Sequence, residues 1–203
     1  MTISGISRYK GKTYCVEFED LDEKLYLHEN TVFDFRLKKG IELSEENLAD
    51  IKYAQMFRKV KERALHFLDI REYGFAELCE KLARDYDQDI CIEVCKELAE
   101  ASLINDHRYA ENLARHLCIT KKYGYYRAKQ EMIRKGISSE IAAEALEEYE
   151  DTAEERLAEI FEKKYLDGID SPKALEKAKA ALSRLGYSGS QISDVIREYD
   201  IEF

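Results

Sequence analysis

Two short stretches, Tyr123-Gly124-Tyr125 and Gly136-Ile137-Ser138, carry the clearest sign of the fold because both recur at one fixed offset. The first repeats Tyr73-Gly74-Phe75, and the second is repeated by Gly186-Tyr187-Ser188, so the period is 50 residues. Apolar positions keep the same register without gaps, as at Leu82, Met132 and Leu182. A period of this length predicts a tandem array of small structural units.

Each unit has the pattern of three helices. In the second unit we expect helices over residues 106–121, 124–135 and 139–149, with Gly136 ending the middle one. In the third unit, Ser171-Pro172 predicts a helix start, and Ser188-Gly189-Ser190-Gln191 has the pattern of a capping box. The sequence therefore predicts a mainly α protein with three three-helix units in an elongated, curved array.

The N-terminal part has a different pattern. Short alternating runs predict three strands, at residues 3–6, 14–18 and 25–27, with turns at Lys10-Gly11-Lys12 and at residues 20–23. A short helix is expected near Asn30–Leu37, ended by Lys39-Gly40, and Ser44 is a plausible cap for the helix after it. The predicted organisation is a β-rich module over 1–43 followed by helical units over 44–104, 105–150 and 151–203.

Composition limits the class of protein. The chain has 203 residues, of which 45% are apolar and 36% charged, with one proline and nine glycines, which favours helices over a many-turned β fold. No apolar run has the roughly 18 residues of a membrane span, and Met1–Lys12 lacks a signal core. We expect a cytoplasmic monomer with five reduced cysteines and no membrane contact.

Catalytic and metal motifs are weak. The sequence has no phosphate loop, no GxSxG and no HExxH. Zinc binding by Cys79, Cys91, Cys95 and His107 is conceivable, but Cys91 and Cys95 fall at core spacing in an apolar helix, which favours packing. We therefore predict no catalytic residue, no metal and no cofactor.

The distribution of charge points to one candidate binding surface. The formal net charge is −10, yet residues 105–136 carry about +5 and lie between acidic stretches. Cations can bind phosphate or carboxylate, and tyrosines among them can stack or anchor, although an ordinary solvated helix face remains the alternative. Tyr109 and Tyr125 are expected in the core, and the acidic run over 147–155 in solvent. The candidate binding residues are Arg71, Arg108, Arg115, Lys121, Lys122, Tyr123, Tyr126, Arg127, Lys129, Arg134 and Lys135.

These residues also support a family resemblance. The chain resembles RecX, the regulators of the RecA recombinase, over nearly its whole length. The resemblance is carried by five segments in order: residues 64–71, residues 77–82, Leu103-Ile104-Asn105-Asp106-His107-Arg108-Tyr109-Ala110, Lys122-Tyr123-Gly124 with Arg127, and Lys135-Gly136-Ile137. The N-terminal part, ending in Phe35-Arg36-Leu37-Lys38-Lys39-Gly40, is similar to an extension of longer members.

The resemblance implies a specific function. It implies a non-enzymatic regulator of recombinational DNA repair that binds along the RecA–single-stranded DNA filament and modulates ATP hydrolysis, strand exchange and filament stability. Many family members are more basic, so a net charge of −10 favours a mainly protein-facing mode with, at most, weak direct DNA contact. The alternative is a helical module that binds single-stranded nucleic acid directly.

Overall fold

The computed structural model describes residues 1–19, 22–199 and 201. The chain divides into two compact units. The first comprises Met1–Ile70 and Leu82–Glu97, and the second comprises Arg71–Lys81 and Leu98–Phe203. The predicted fold class, mainly helical with a small N-terminal sheet, is confirmed. The four predicted domain ranges remain predictions.

The sheet of the first unit is an antiparallel meander of β1 (Ile3–Lys10), β2 (Thr13–Phe18) and β3 (Leu25–His28). The predicted turn at Lys10–Lys12 joins β1 to β2, whereas Asp20 and Leu21 of the second predicted turn lie outside the described residues. Alternation puts one face of the sheet into an apolar core, in which Ile3, Val16 and Leu27 are buried.

A short helix, α1 (Glu29–Asp34), follows the sheet directly. It ends at Asp34, before the predicted end near Leu37, so the prediction that Lys39-Gly40 ends it is wrong. Arg36 takes a left-handed φ of 50°, and the Leu37 amide then donates to the Val32 carbonyl oxygen at 2.9 Å. This arrangement ends the helix early and turns Leu37 into the core.

The first helical repeat contributes α2 (Glu45–Ile70), α3 (Phe75–Leu82) and α4 (Gln88–Glu100). The Ser44 hydroxyl accepts the Asn47 amide at 3.1 Å, as the predicted cap requires. Cys91 and Cys95 are fully buried, which confirms their place in a helix core. Within the first unit, Gln55 of α2 accepts hydrogen bonds from the His28 amide and the Thr31 hydroxyl, which joins the helix to the β module.

The second repeat consists of α5 (Asp106–Arg115), a π-helical turn (His116–Thr120), α6 (Tyr125–Arg134) and α7 (Ser139–Glu147). Asn105 and Ser138 cap α5 and α7. The three helices enclose one core that includes the buried side chains of Tyr109, Met132 and Leu146. The predicted helices are confirmed, except that the first finishes as a π turn.

The third repeat consists of α8 (Ala153–Lys164), a 3-10 turn (Leu166–Gly168), α9 (Pro172–Arg184) and α10 (Gly189–Arg197). The predicted start of α9 at Ser171-Pro172 and the capping box of α10 are both confirmed. These helices enclose a core of their own, in which Leu157, Phe161 and Leu182 are fully buried. No helix among the described residues has the length and apolar content needed to cross a membrane.

Candidate functional site

Polar contacts join α3 to α5 within the second unit. Asp106, at the start of α5, accepts the Phe75 amide at 2.7 Å and thereby caps α3. Glu72 accepts Arg108 Nε at 2.6 Å and Asn112 Nδ2 at 2.7 Å. The predicted binding residue Arg108 therefore has a structural partner, although its side chain stays about half exposed.

Glu77 on α3 is the centre of a larger network. Its carboxylate accepts two hydrogen bonds from the Arg71 guanidinium, at 3.0 and 3.1 Å, one from Lys135 Nζ at 2.9 Å and one from the Tyr109 hydroxyl at 2.7 Å. Burial alone raises the pKa of Glu77, but hydrogen bonds from Arg71, Lys135 and Tyr109 outweigh it and lower the pKa to about 2. Arg71 also lies over the ring of Tyr73, 3.6 Å from its centroid.

Backbone contacts join the second repeat to the third. The Gly124 amide donates to the Leu185 carbonyl oxygen at 2.9 Å, and the Tyr126 amide donates to that of Gly186 at 3.2 Å. The Tyr187 hydroxyl donates to the Lys122 carbonyl oxygen at 3.1 Å. Lys122 itself has a φ of 55°, and its ammonium lies 2.5 Å from Glu159 of α8. Lys122 is thus a junction residue, by which we mean a residue whose contacts help to join two adjacent repeats.

The recurring glycines explain why the two junctions look alike. Gly136 and Gly186 follow the middle helices of their repeats with φ values of 83° and 95°. A Cβ at Gly186 would lie 2.5 Å from the Arg127 Cβ at the start of α6, and one at Gly136 would overlap the Cβ of Ala76 at the start of α3. Each glycine thus lets the turn of one repeat approach the helix start of the repeat before it.

The remaining cations of α6 have mixed roles. The Arg127 guanidinium donates to the Arg184 carbonyl oxygen at 3.1 Å and lies 4.1 Å from the centroid of the half-buried Tyr123 ring. Arg134 pairs with Glu131 one turn away. Lys129 donates to the Tyr125 hydroxyl at 3.3 Å. Arg127 and Lys129 are half-buried and Arg134 is exposed, so all three keep part of their charge accessible.

An exposed stripe runs along α6 between these cations. Tyr126 is 59% exposed and Ile133 is 46% exposed, and their spacing of seven residues puts them on one face, with Gln130 between them. Arg127 and Arg134 flank this face on one side and Lys129 on the other. Ile133 was not among the predicted residues. Its spacing of seven residues from Tyr126, which is two helical turns, is the sequence signal that could have identified it. We call Tyr126, Arg127, Lys129, Ile133 and Arg134 the α6 face.

Arg115 and Lys121, at either end of the π-helical turn, are the most available of the predicted cations. Both side chains are exposed, and neither makes an ion pair with another described residue. Ile119, between them, is 52% exposed. The predicted set therefore divides into junction residues, namely Arg71, Arg108, Lys122 and Lys135, and residues that leave charge or apolar area in solvent.

An acidic groove borders the α6 face. It has a volume of about 480 Å³ and is lined by Tyr125 and Tyr126 of α6, by Glu144, Glu147 and Glu150, and by the start of α10. The acidic residues over 147–155 are exposed, as predicted. Negative charge here disfavours a duplex or a free strand laid across both surfaces, because phosphates would meet carboxylates.

The part of the chain that the structure describes holds no group of three or more His, Cys, Asp or Glu side chains that could bind a metal ion together. Cys118, within the π-helical turn, is 1% exposed, and burial raises the pKa of its thiol to about 11. A thiol in this state is a poor nucleophile.

Comparison with known proteins identifies the chain's relatives. A family model described as RecX, second three-helix domain, matches residues 105–146. The regulatory protein RecX of Streptococcus sanguinis (strain SK36) is 31% identical over 204 residues, covering 100% of this chain and 78% of the relative. The protein of the same name from Clostridioides difficile (strain 630) is 30% identical over 192 residues, covering 89% of this chain and 91% of the relative.

Solved structures agree on the fold. A crystal structure of regulatory protein RecX superposes with a TM-score of 0.78 at 24% identity, covering 97% of this chain and 98% of the other. The crystal structure of RecX from Lactobacillus salivarius superposes with a TM-score of 0.63 at 31% identity, covering 72% of this chain and 98% of the other.

Proposed function

Because this chain belongs to the RecX family of regulatory proteins, we propose that it regulates recombinational DNA repair by binding the RecA–single-stranded DNA filament. Binding changes the filament's ATP hydrolysis, strand exchange and stability. The protein acts without catalysis of its own, as a monomer in the cytoplasm. A regulator of this kind requires only a difference in affinity between two states of its partner.

The α6 face is the observation that carries this proposal. It combines an exposed tyrosine and an exposed isoleucine with three cations, which is the composition of a protein-binding surface with charged edges. The α6 face lies in the second repeat. Lys135, just after α6, contacts Glu77 of the first repeat, and Gly124, just before α6, contacts Leu185 of the third repeat. The face is therefore fixed in orientation by the junctions, which lowers the entropic cost of binding.

The predicted residues take two roles under this proposal. Tyr126, Arg127, Lys129 and Arg134 contact the filament together with Arg115 and Lys121, and Tyr123 supports the Arg127 guanidinium. In contrast, Arg108, Lys122 and Lys135 join adjacent repeats, and Arg71 orients the Glu77 carboxylate that Lys135 contacts. Changing the second group alters stability first and binding only as a consequence.

Charge favours a mode in which protein contacts dominate. The net charge is −10, and the acidic groove lies directly beside Tyr126. Repulsion between these carboxylates and phosphate weakens binding to a free strand, whereas a protein surface does not present a continuous row of phosphates. The alternative, direct binding of single-stranded nucleic acid by the helices, is supported by the exposed ring of Tyr126 among cations.

Two substitutions on the α6 face test the proposal. Tyr126→Ala and Lys129→Glu should each weaken binding to the RecA filament by about fivefold or more, since central aromatic and charged contacts contribute roughly 1 kcal/mol or more. Binding is measured by fluorescence anisotropy, alongside the filament's ATP hydrolysis. Lys177→Glu, at an exposed position of α9, is the matched control. Equal binding by all variants would remove the α6 face from the proposal.

A further inference from the structure

The outer face of the N-terminal sheet carries an unusual group of side chains. Strand pairing puts Ser7, Cys15 and Tyr26 in one row and Lys10, Thr13 and His28 in another, which lies two residues away along β2 and β3 and, because of a bulge, three along β1. Rows two residues apart share a face. The row between them consists of Arg8, Tyr14 and Leu27, and Leu27 is buried in the apolar core, so the rows of Tyr26 and Lys10 face away from that core.

Two tyrosines stand together on this outer face. A bulge at Arg8–Lys10 lets Tyr9 turn towards Tyr26, and the rings meet edge to face with their centroids 4.8 Å apart. Tyr9 is 65% exposed and Tyr26 is 49% exposed. Cross-strand packing explains the contact between the rings, but about half of Tyr26 and more than half of Tyr9 remain in water.

One cation, unpaired among the described residues, lies on the same face as the two rings. Lys10 shares the outer face and makes no ion pair with another described residue. Arg8 is not part of this face, because it pairs with Tyr14 in the row of the buried Leu27, and its Nε donates to the Gly11 carbonyl oxygen at 2.9 Å. At the opposite end of the face, Glu17 is held by Lys24 at 2.5 Å, so its charge is compensated.

We propose that this outer face binds single-stranded nucleic acid, with bases stacked on Tyr9 and Tyr26 and the backbone phosphates next to Lys10. Two exposed aromatic rings beside a cation are the elements of a strand-binding platform that tolerates any sequence, because every base has a face that can stack. The site is separate from the α6 face and needs no recombinase. It gives the β module a binding function of its own.

The test uses the full chain and two labelled oligonucleotides without recombinase, a deoxythymidine oligomer and an abasic oligomer of the same length, at matched low salt. Tyr9→Leu/Tyr26→Leu keeps apolar packing but removes the rings. It should weaken binding of the thymidine oligomer about fivefold or more and leave binding of the abasic oligomer unchanged. Lys10→Glu should weaken binding of both, because both have phosphates.

Phe33→Ala is the matched control, since Phe33 is 80% exposed in the same module. Circular dichroism establishes that each variant is folded, and Tyr26→Leu alone replaces the double variant if the latter unfolds. Equal wild-type affinity for the two oligomers, or an equal loss of affinity for both in the leucine variant, would overturn the proposal. Failure of filament binding would leave this result untouched, because the recombinase is absent.

Discussion

Replacing Glu77 by glutamine removes the charge that Arg71, Lys135 and Tyr109 share, while keeping the size of the side chain. A pKa lowered from 4.5 to about 2 corresponds to about 3 kcal/mol of folding free energy at neutral pH. The side chain is 20% exposed, so solvent screens part of this interaction. We expect Glu77→Gln to lower the free energy of unfolding by about 2 kcal/mol at neutral pH.

The effect should depend on pH with a definite sign. The folded-state pKa of Glu77 lies below the unfolded value, so its stabilisation is complete above about pH 4.5 and is lost as the pH falls towards 2. The difference between wild type and Glu77→Gln should therefore shrink to below about 1 kcal/mol near pH 3. Urea unfolding followed by circular dichroism measures it at each pH.

Glu111→Gln is the matched control, because Glu111 is an exposed glutamate of α5 that makes no ion pair with another described residue. It should change the free energy of unfolding by less than about 0.5 kcal/mol. The reasoning fails if Glu77→Gln is as mild as this control, or if its penalty is the same at neutral and acidic pH.

Three further substitutions or reactions test the repeat junctions and the core. Gly186→Ala should destabilise the chain by about 2 kcal/mol or more, because the new Cβ would overlap the start of α6 and the φ of 95° disfavours a side chain. Gly189→Ala is the control, since the space around Gly189 is open, and urea unfolding compares the two variants. Ser188→Ala should cost about 1 kcal/mol by removing the cap that accepts the Gln191 amide, which thermal unfolding measures. Cys118 should resist maleimide in the native protein and react once urea unfolds it, as peptide mapping by mass spectrometry would show; rapid native labelling would contradict its burial.

The sequence predicted the repeats well because their signals are local or periodic. Gly136 and Gly186 mark turns that must approach a neighbouring helix, and Ser171 and Ser188 mark helix starts that need a hydrogen-bond acceptor. Such requirements act on single residues and their immediate neighbours. They can be recognised without knowing which helices pack together.

The candidate site was harder to predict because its contacts join distant parts of the chain. Glu77 and Lys135 are separated by 58 positions, and no periodicity relates an acid in one repeat to a cation in the next. From the sequence we therefore predicted that Arg71 and Lys135 belong to a binding surface, whereas in the structure both pair with Glu77. Local conformation was also missed where it departs from regular helix, as at the end of α1 and in the π-helical turn.

Preference for the assembled filament is the property that distinguishes a recombinase regulator from a general nucleic-acid binder. The measurement compares binding of this protein to RecA alone, to single-stranded DNA alone and to the RecA–DNA filament with ATP, all at the same moderate salt. The proposed function predicts saturable binding to the filament that is much tighter than to either component, together with altered ATP hydrolysis. Equal binding to bare DNA, or no binding to the filament, would contradict it.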